Sequence, residues 1–264
     1  MTFKVTFTGL RERLQQLDRL QREQLPFAAA LALTRTAQEV KAGLVDEMQS
    51  VFDRPTRATL NSLFIQPATK DRMEARVWIK DGLSQNSAGN TVGTQGAWGK
   101  GRAASEWLTP QVYGGGRNHK GTEKMLNRRG ALAAGKYVMP GKGIKLDSHG
   151  NIPRGTLTKI LSGAGLFTEE GYNANATRSG RSSAKGNSKR YFLLRKGRQA
   201  IGIAERTGWG KGSRNRIKMV LAFTDAPSYS KRFRFFEVAE AIAEDQLPIQ
   251  FELAMARALA TRAR

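Results

Sequence analysis

The chain has 264 residues, no cysteine, and 44 Lys/Arg against 22 Asp/Glu, which gives a formal net charge of +22 at pH 7. The lack of cysteine excludes disulfides, thiolate catalysis and thiolate zinc sites, and it agrees with assembly in a reducing compartment. Because no apolar run approaches the roughly 18 residues that span a bilayer, and the N-terminus lacks the basic-then-apolar order of a signal peptide, we expect neither a membrane span nor standard secretion.

The N-terminal residues predict a strand followed by two helices. Phe3, Val5 and Phe7 alternate with polar residues, which is the pattern of a half-buried strand. Leucines at helical spacing within residues 10–20 predict a first helix, and Pro26 is expected near the first position of a second one, where proline costs little. The apolar stripe of that second helix comprises Ala30, Leu33, Ala37, Val40, Leu44 and Met48.

A hairpin and a long loop are predicted next. After the Phe52–Thr56 turn, the strands Leu60–Gln66 and Glu74–Lys80 are expected to pair. From Gly82 to Arg102 the chain is mainly Gly, Ser, Asn and Gln without periodicity, and Thr168–Ser188 has a similar composition. We expect both segments to be exposed loops that are disordered in the isolated protein.

The middle and the end of the chain carry shorter elements. Three short helices are predicted near Ala103–Leu108, Thr122–Arg128 and Pro153–Leu161. Three strands are predicted at Tyr191–Leu194, Gln199–Ala204 and Ile217–Thr224. The chain is expected to close with one helix that carries Phe235 and Ile242 on one face and another that opens at Pro248.

These elements predict an α+β fold, with an antiparallel sheet built from both chain ends and amphipathic helices packed on it. Residues 1–81 and 215–264 would form a scaffold domain, and 82–214 a basic, loop-rich insertion. The flanks carry 13 Lys/Arg against 10 Asp/Glu and 8 against 6, whereas the insertion carries 23 against 6. The insertion therefore supplies +17 of the formal charge.

The density of positive charge predicts contact with a polyanion. Residues 173–216 hold 12 Lys/Arg and one acid, Glu205, and few aromatic residues, which favours sequence-independent contact with a nucleic-acid backbone over base stacking. Contact with a partner protein and a merely solvated surface stay open. The candidate contact residues are Arg178, Arg181, Lys185, Lys189, Arg190, Arg195, Lys196, Arg198, Lys211 and Arg214.

A search for catalytic chemistry yields little. His119 and His149 are the only histidines and lie in separate turn-rich segments, so a histidine-based metal site is not expected. Gly99-Lys100-Gly101 lacks the earlier glycine and the following Ser/Thr of a phosphate-binding loop. We expect no catalytic site, no metal and no cofactor. Glu169 and Glu170, an adjacent acidic pair among basic residues, keep a magnesium-dependent nuclease open as an alternative.

Several short motifs along the chain together carry a resemblance to a known protein family. They include the Ala-rich helix Phe27–Ala37, the Phe52–Thr56 turn and the closing Ala258–Ala263 segment. Further motifs lie in the middle: Leu108–Pro110, Gly114–Gly115, Arg117, Lys120, Glu123 and Gly150–Pro153. From end to end the layout resembles the minor tail protein Z, or tail-completion, family of lambda-like tailed bacteriophages and their prophages.

The resemblance implies a virion structural protein without an active site. Such a protein would assemble in the host cytoplasm and sit at the head-proximal end of the tail, where it completes the tail for joining to the filled capsid. Its implied partners are further copies of itself in a ring, expected to be hexameric to match the sixfold tail. They also include tail terminator or tail tube proteins and head-side connector proteins. Nonspecific contact with viral double-stranded DNA fits the basic middle, and no membrane is involved. An RNA-binding protein stays open as a third class.

Overall fold

A computed structural model of the protein describes residues 1–6, 19–81, 84–85, 91–92, 103–166, 190–207 and 217–260, with side chains described outside 19–23, 84–85 and 91–92. The helices are α1 (Arg19–Val51), α2 (Arg57–Leu60), α3 (Ser105–Tyr113), α4 (Gly121–Arg128), α5 (Arg154–Gly163) and α6 (Phe235–Ala260). The strands are β1 (Thr2–Thr6), β2 (Leu63–Gln66), β3 (Glu74–Ile79), β4 (Ser84–Gln85), β5 (Thr91–Val92), β6 (Tyr137–Pro140), β7 (Tyr191–Lys196), β8 (Gln199–Arg206) and β9 (Ile217–Thr224).

Helices and antiparallel sheets together confirm the α+β class. The chain divides into two units, one of Met1–Gly114 with Tyr229–Arg264 and one of Gly115–Ser228. We call them the terminal unit and the central unit. Among the described helices, none is long and apolar enough to cross a membrane.

The terminal unit packs two long helices on a three-stranded sheet. The strand order is β1-β3-β2, with Val77 of β3 opposite Phe3 on one side and Ile65 on the other. The predicted stripe of α1 is buried against this sheet together with residues of β1 and β3 such as Val5 and Val77, as expected for an amphipathic helix on a sheet. The first strand and the β2–β3 hairpin were therefore predicted correctly.

Small side chains join α1 to α6. Ala28 and Ala32 of α1 are buried with Ala254 and Ala258 of α6, and residues without long side chains allow two helix backbones to approach closely. The alanine-rich composition of these helices thus has a packing role.

Two predicted helix starts were wrong. Pro26 lies inside α1 and Pro248 lies inside α6, so the chain closes with one helix and not two. The buried stripe of α6 continues across Pro248, from Ala239 to Ala258, so the packing of this face outweighs the cost of a proline inside the helix.

The central unit is built on a four-stranded antiparallel sheet of order β6-β9-β8-β7. Its core contains Leu126 of α4 and Ile160 of α5 packed with Ile203 and Leu221 of the sheet. The strand at Ile217–Thr224, which the sequence analysis grouped with the N-terminal strands, pairs here with β6 and β8. Alternation identifies a strand but not its partners.

The boundaries between the units fall at Gly114/Gly115 and Ser228/Tyr229, whereas the sequence analysis placed them at 81/82 and 214/215. Helix α3 lies in the basic, Gly-rich part of the sequence, yet its Leu108 and Val112 are buried in the core of the terminal unit. Both boundaries predicted from composition therefore lie earlier along the chain than the boundaries between the packed units.

The chain leaves the terminal unit and returns to it at adjacent positions. A Cβ placed on Gly114 would lie 3.2 Å from the carbonyl oxygen of Tyr229, and the N–H groups of Arg232 and Phe233 donate to the carbonyl of Gln111 at 2.8 and 3.0 Å. The two crossings are therefore side by side.

Some predictions fall on residues outside the described ranges. These are the helix predicted over most of residues 10–20 and the loop Thr168–Ser188. Within Gly82–Arg102, only β4 and β5 are described before residue 103, and they pair antiparallel. A short two-stranded ladder thus occurs where the sequence predicted only a loop.

Candidate nucleic-acid interface

Charge separates between the two structural units. The central unit carries 23 Lys/Arg against 6 Asp/Glu, and the terminal unit carries 21 against 16. The central unit therefore holds +17 of the formal charge and the terminal unit +5. A compact body with this excess produces a positive field that attracts polyanions.

Four of the ten predicted contact residues are described: Arg190, Arg195, Lys196 and Arg198. The other six lie outside the described residues: Arg178, Arg181, Lys185, Lys189, Lys211 and Arg214. They belong to two undescribed segments, 167–189 and 208–216. Arg190, which immediately precedes β7, Arg206, which ends β8, and Ile217, which begins β9, border these segments at one end of the sheet.

Three of the described cations form the tip of the β7–β8 hairpin. Arg195, Lys196 and Arg198 are exposed around Gly197, whose φ of 61° is the left-handed conformation that glycine adopts at low cost. The Arg195 guanidinium donates to the carbonyl of Arg198 at 3.0 Å. No acidic residue occurs from 192 to 204, so the hairpin itself supplies no counter-charge to these cations, which suits them to phosphate contact.

Arg190 has a different environment. Its Nε donates to Glu205 Oε1 at 2.6 Å, and its Nη2 lies 2.5 Å from the same oxygen. Glu205 is buried, and the hydrogen bond from Arg190 to its carboxylate raises the pKa of that arginine. The pair neutralises itself within the sheet, so Arg190 contributes less than the hairpin tip to contact with an outside anion.

The sequence analysis overlooked a second basic surface. A cleft of about 820 Å³ lies between residues 140–145 and β9, and Lys142, Lys145 and Lys218 line it. All three lysines are exposed. The Gly-Lys-Gly-Ile-Lys sequence at 141–145 was a weak signal, because the pairing of β6 with β9 that brings Lys218 beside it is not visible in the sequence.

The resemblance motif around Arg117 forms a buried ionic cluster. Arg117 donates to both oxygens of Glu123 at 2.8 and 2.6 Å. The backbone N–H groups of Lys120 and Val138 donate to the same carboxylate at 2.6 and 2.9 Å. The Arg117 guanidinium also lies 4.8 Å from the centre of the Tyr137 ring. These contacts join the start of α4 to β6, which is a structural role.

Burial of Glu123 acts to raise its pKa, but the hydrogen bonds from Arg117, Val138 and Lys120 outweigh burial and bring the pKa below its ordinary value. Glu123 is 1% exposed, so the charged carboxylate survives burial only because these donors surround it.

The residues considered for catalysis are not assembled into a site by the described structure. His119 stacks on Tyr137 at 4.2 Å and contacts the Lys136 carbonyl at 3.1 Å, which is a packing environment. Within the described ranges, no group of three or more His, Cys, Asp or Glu residues could hold a metal ion. Glu169 and Glu170 lie outside those ranges.

Comparison with protein-family models, with curated proteins and with solved structures finds no match to this chain.

Proposed function

We propose that the protein is a phage virion structural component that completes the head-proximal end of the tail and contacts DNA nonspecifically there. The observation that carries the proposal is the concentration of +17 on the central unit beside a nearly balanced terminal unit. This division suits a protein whose scaffold packs against protein neighbours while its basic part faces a polyanion. The resemblance to tail-completion proteins supports the same role.

A closed ring of copies would strengthen the DNA contact. In a cyclic assembly each subunit presents the same surface by symmetry, so the basic central units would contribute a common field to one channel. We propose a hexameric ring with tail terminator or tail tube proteins on one side and head-side connector proteins on the other.

The hairpin tip supports backbone contact over sequence readout. Arg195, Lys196 and Arg198 lie on the turn of a hairpin and not on a helix that could enter a groove. Contacts from such side chains to phosphates position a protein without specifying sequence. A DNA that must pass through a channel requires contact of this kind.

The proposal is tested by measuring the mass of the purified protein with light scattering, with and without tail tube components, together with head–tail joining by virions that lack the protein. We expect rings, formed alone or on the tail, and tails that fail to join heads when the protein is missing. A monomer under all conditions that cleaves duplex DNA with magnesium would overturn the proposal and favour a nuclease.

A further inference from the structure

We propose that the cleft between residues 140–145 and β9 binds a short single-stranded segment of nucleic acid, with phosphates on its lysines and a base or sugar on its apolar wall. The inference rests on the nucleic-acid contact included in the proposed function. It adds a defined site and a strand preference.

The size of the cleft favours a single strand over a duplex. Its volume of about 820 Å³ lies within the roughly 300–1,000 Å³ of typical ligand sites. This space accommodates nucleotide-sized groups and is too small to enclose a duplex. A duplex could touch only the rim, through its phosphates.

Backbone hydrogen bonds hold the wall of the cleft in place. The N–H groups of Gly141 and Gly143 donate to the carbonyls of Val220 and Met219 at 2.9 and 3.1 Å. A Cβ on Gly141 would overlap the Met219 carbonyl oxygen, so only glycine allows this close approach. The loop that carries Lys142 and Lys145 is thereby fixed against β9, which carries Lys218.

The described charged residues that line the cleft are all positive. Lys142, Lys145 and Lys218 line the cleft, and no acidic side chain does so among the described lining residues. The nearest acid on the adjoining strand is Glu205, opposite Lys218 in the β8–β9 register, and it is bound by Arg190 at 2.5 Å. Three like charges around one cavity repel each other, and an anion between them relieves that repulsion.

Part of the wall of the cleft is apolar. Ile144, Ile217 and Met219 line the same cleft, and Ile217 is 52% exposed. Free phosphate would leave this apolar surface in water, and so would a duplex, whose bases face inward. An exposed strand offers phosphates and base or sugar surfaces together, which matches both parts of the wall.

The test compares two variants that remove the same charge from the central unit. The cleft variant combines Lys142→Gln, Lys145→Gln and Lys218→Gln, and the control variant combines Lys124→Gln, Arg128→Gln and Arg129→Gln on and just after α4, where all three side chains are exposed. Binding of a labelled oligothymidylate and of a duplex of equal length is followed by fluorescence anisotropy across salt concentrations. Circular dichroism checks that both variants remain folded.

We expect the cleft variant to bind the single strand at least tenfold more weakly than the control variant does. Its log–log salt slope should fall by about 2, because each phosphate contact to a single strand contributes about 0.7. Ile217→Ser should weaken single-strand binding by about fivefold with an unchanged salt slope, since it removes apolar contact only.

Equal losses in the cleft and control variants would overturn the inference, and so would an equal loss of duplex and single-strand binding in the cleft variant. If the wild-type protein bound neither nucleic acid, the DNA contact in the proposed function would fail together with this inference. If binding followed the expectation but head–tail joining did not need the protein, the cleft would stand and the tail role would fall.

Discussion

At the residue scale, the Arg117–Glu123 pair shows how a charged motif is stabilised inside the central unit. Glu123 accepts from a guanidinium and from two backbone N–H groups, while its side chain is almost completely removed from water. Both charges depend on each other, because either one alone would lie in a poorly solvated place.

We expect Glu123→Gln to lower the free energy of unfolding of the central unit by about 3 kcal/mol at pH 7, because the buried Arg117 would lose its counter-charge. Urea unfolding followed by circular dichroism measures this. Asp53→Asn is the matched control: its pair with Arg54 is exposed, with side chains 79% and 58% accessible, and solvent-exposed pairs of this kind contribute little to stability. A similar loss of unfolding free energy in both variants would show that the buried Glu123 pair stabilises the protein no more than an exposed pair does.

The same residue predicts a pH dependence. The pKa of Glu123 is lower in the folded protein than its ordinary value, so its contribution to stability is fully present above the unfolded-state pKa of about 4.3. That contribution is lost as the pH falls through the folded-state pKa. The difference in stability between wild type and Glu123→Gln should therefore shrink between pH 5 and pH 3, and a constant difference would contradict the assignment.

Residue roles were only partly predictable from the sequence. Arg117 and Glu123 were singled out by resemblance, but only the folded contacts show that they bind each other. Lys142 and Lys145 carried no clear signal, since their partner Lys218 is far along the chain. Local sequence patterns show only which residues lie near each other along the chain. The cleft was not predicted because it depends on the pairing of β6 with β9, which are far apart in the sequence.

At the element scale, Gly202 of β8 illustrates a constraint from sheet packing. A Cβ at this position would overlap the carbonyl oxygen of Leu221 on β9, which is backbone and cannot move independently of the ladder. The glycine therefore permits the pairing of these two strands near the Ile203/Ala204 register shift.

We expect Gly202→Ala to lower the free energy of unfolding of the central unit by about 1–3 kcal/mol, because the added methyl group would overpack the contact between β8 and β9. Gly155→Ala is the matched substitution: Gly155 lies in α5, and a Cβ there meets nothing within 4 Å. That change should instead raise stability by up to about 1 kcal/mol, since alanine favours the helix. Thermal unfolding of both variants measures these changes in stability. Destabilisation by Gly155→Ala would show that α5 is not a regular helix at that position.

The continuity of α6 through Pro248 leads to another expectation. Pro248→Ala should raise the free energy of unfolding by up to about 3 kcal/mol, the cost of proline relative to alanine inside a helix. In the same helix the exposed Ala256 provides the opposite change, and Ala256→Gly should lower it by about 1 kcal/mol. Chemical denaturation measures both, and a loss of stability in Pro248→Ala would indicate that the proline is needed to shape the helix.

Strong periodicity predicted elements well and connections poorly. Alternation identified β1, β3 and β9, and the helical stripe identified the buried face of α1. The strand β6 was missed because it has four residues and ends in Pro140, which reads as a turn. The positions of Pro26 and Pro248 were misread because proline is more common at the start of a helix than inside it.

At the scale of the whole molecule, the central unit that packing defines also carries most of the positive charge. The central unit has its own core, around Ile160, Ile203 and Leu221, and its own sheet. It is also one continuous segment, Gly115–Ser228. These are the properties of a domain that folds on its own.

A fragment of residues 115–228 should therefore unfold cooperatively on heating and bind duplex DNA with the same salt slope as the full chain. Circular dichroism and anisotropy titrations measure the two properties. The slope should match because the fragment retains all 23 basic residues of the central unit. A folded fragment with a much smaller slope would show that the terminal unit supplies phosphate contacts.

The adjacent crossings at Gly114 and Tyr229 have an evolutionary consequence. Because the terminal unit brings the two crossing points together, any segment whose ends lie close together could occupy the gap at little cost in loop-closure entropy. Recombination could then exchange the central unit, shorten it or change its net charge while the terminal unit stayed the same. Selection could then change the charge of the central unit without redesigning the terminal unit.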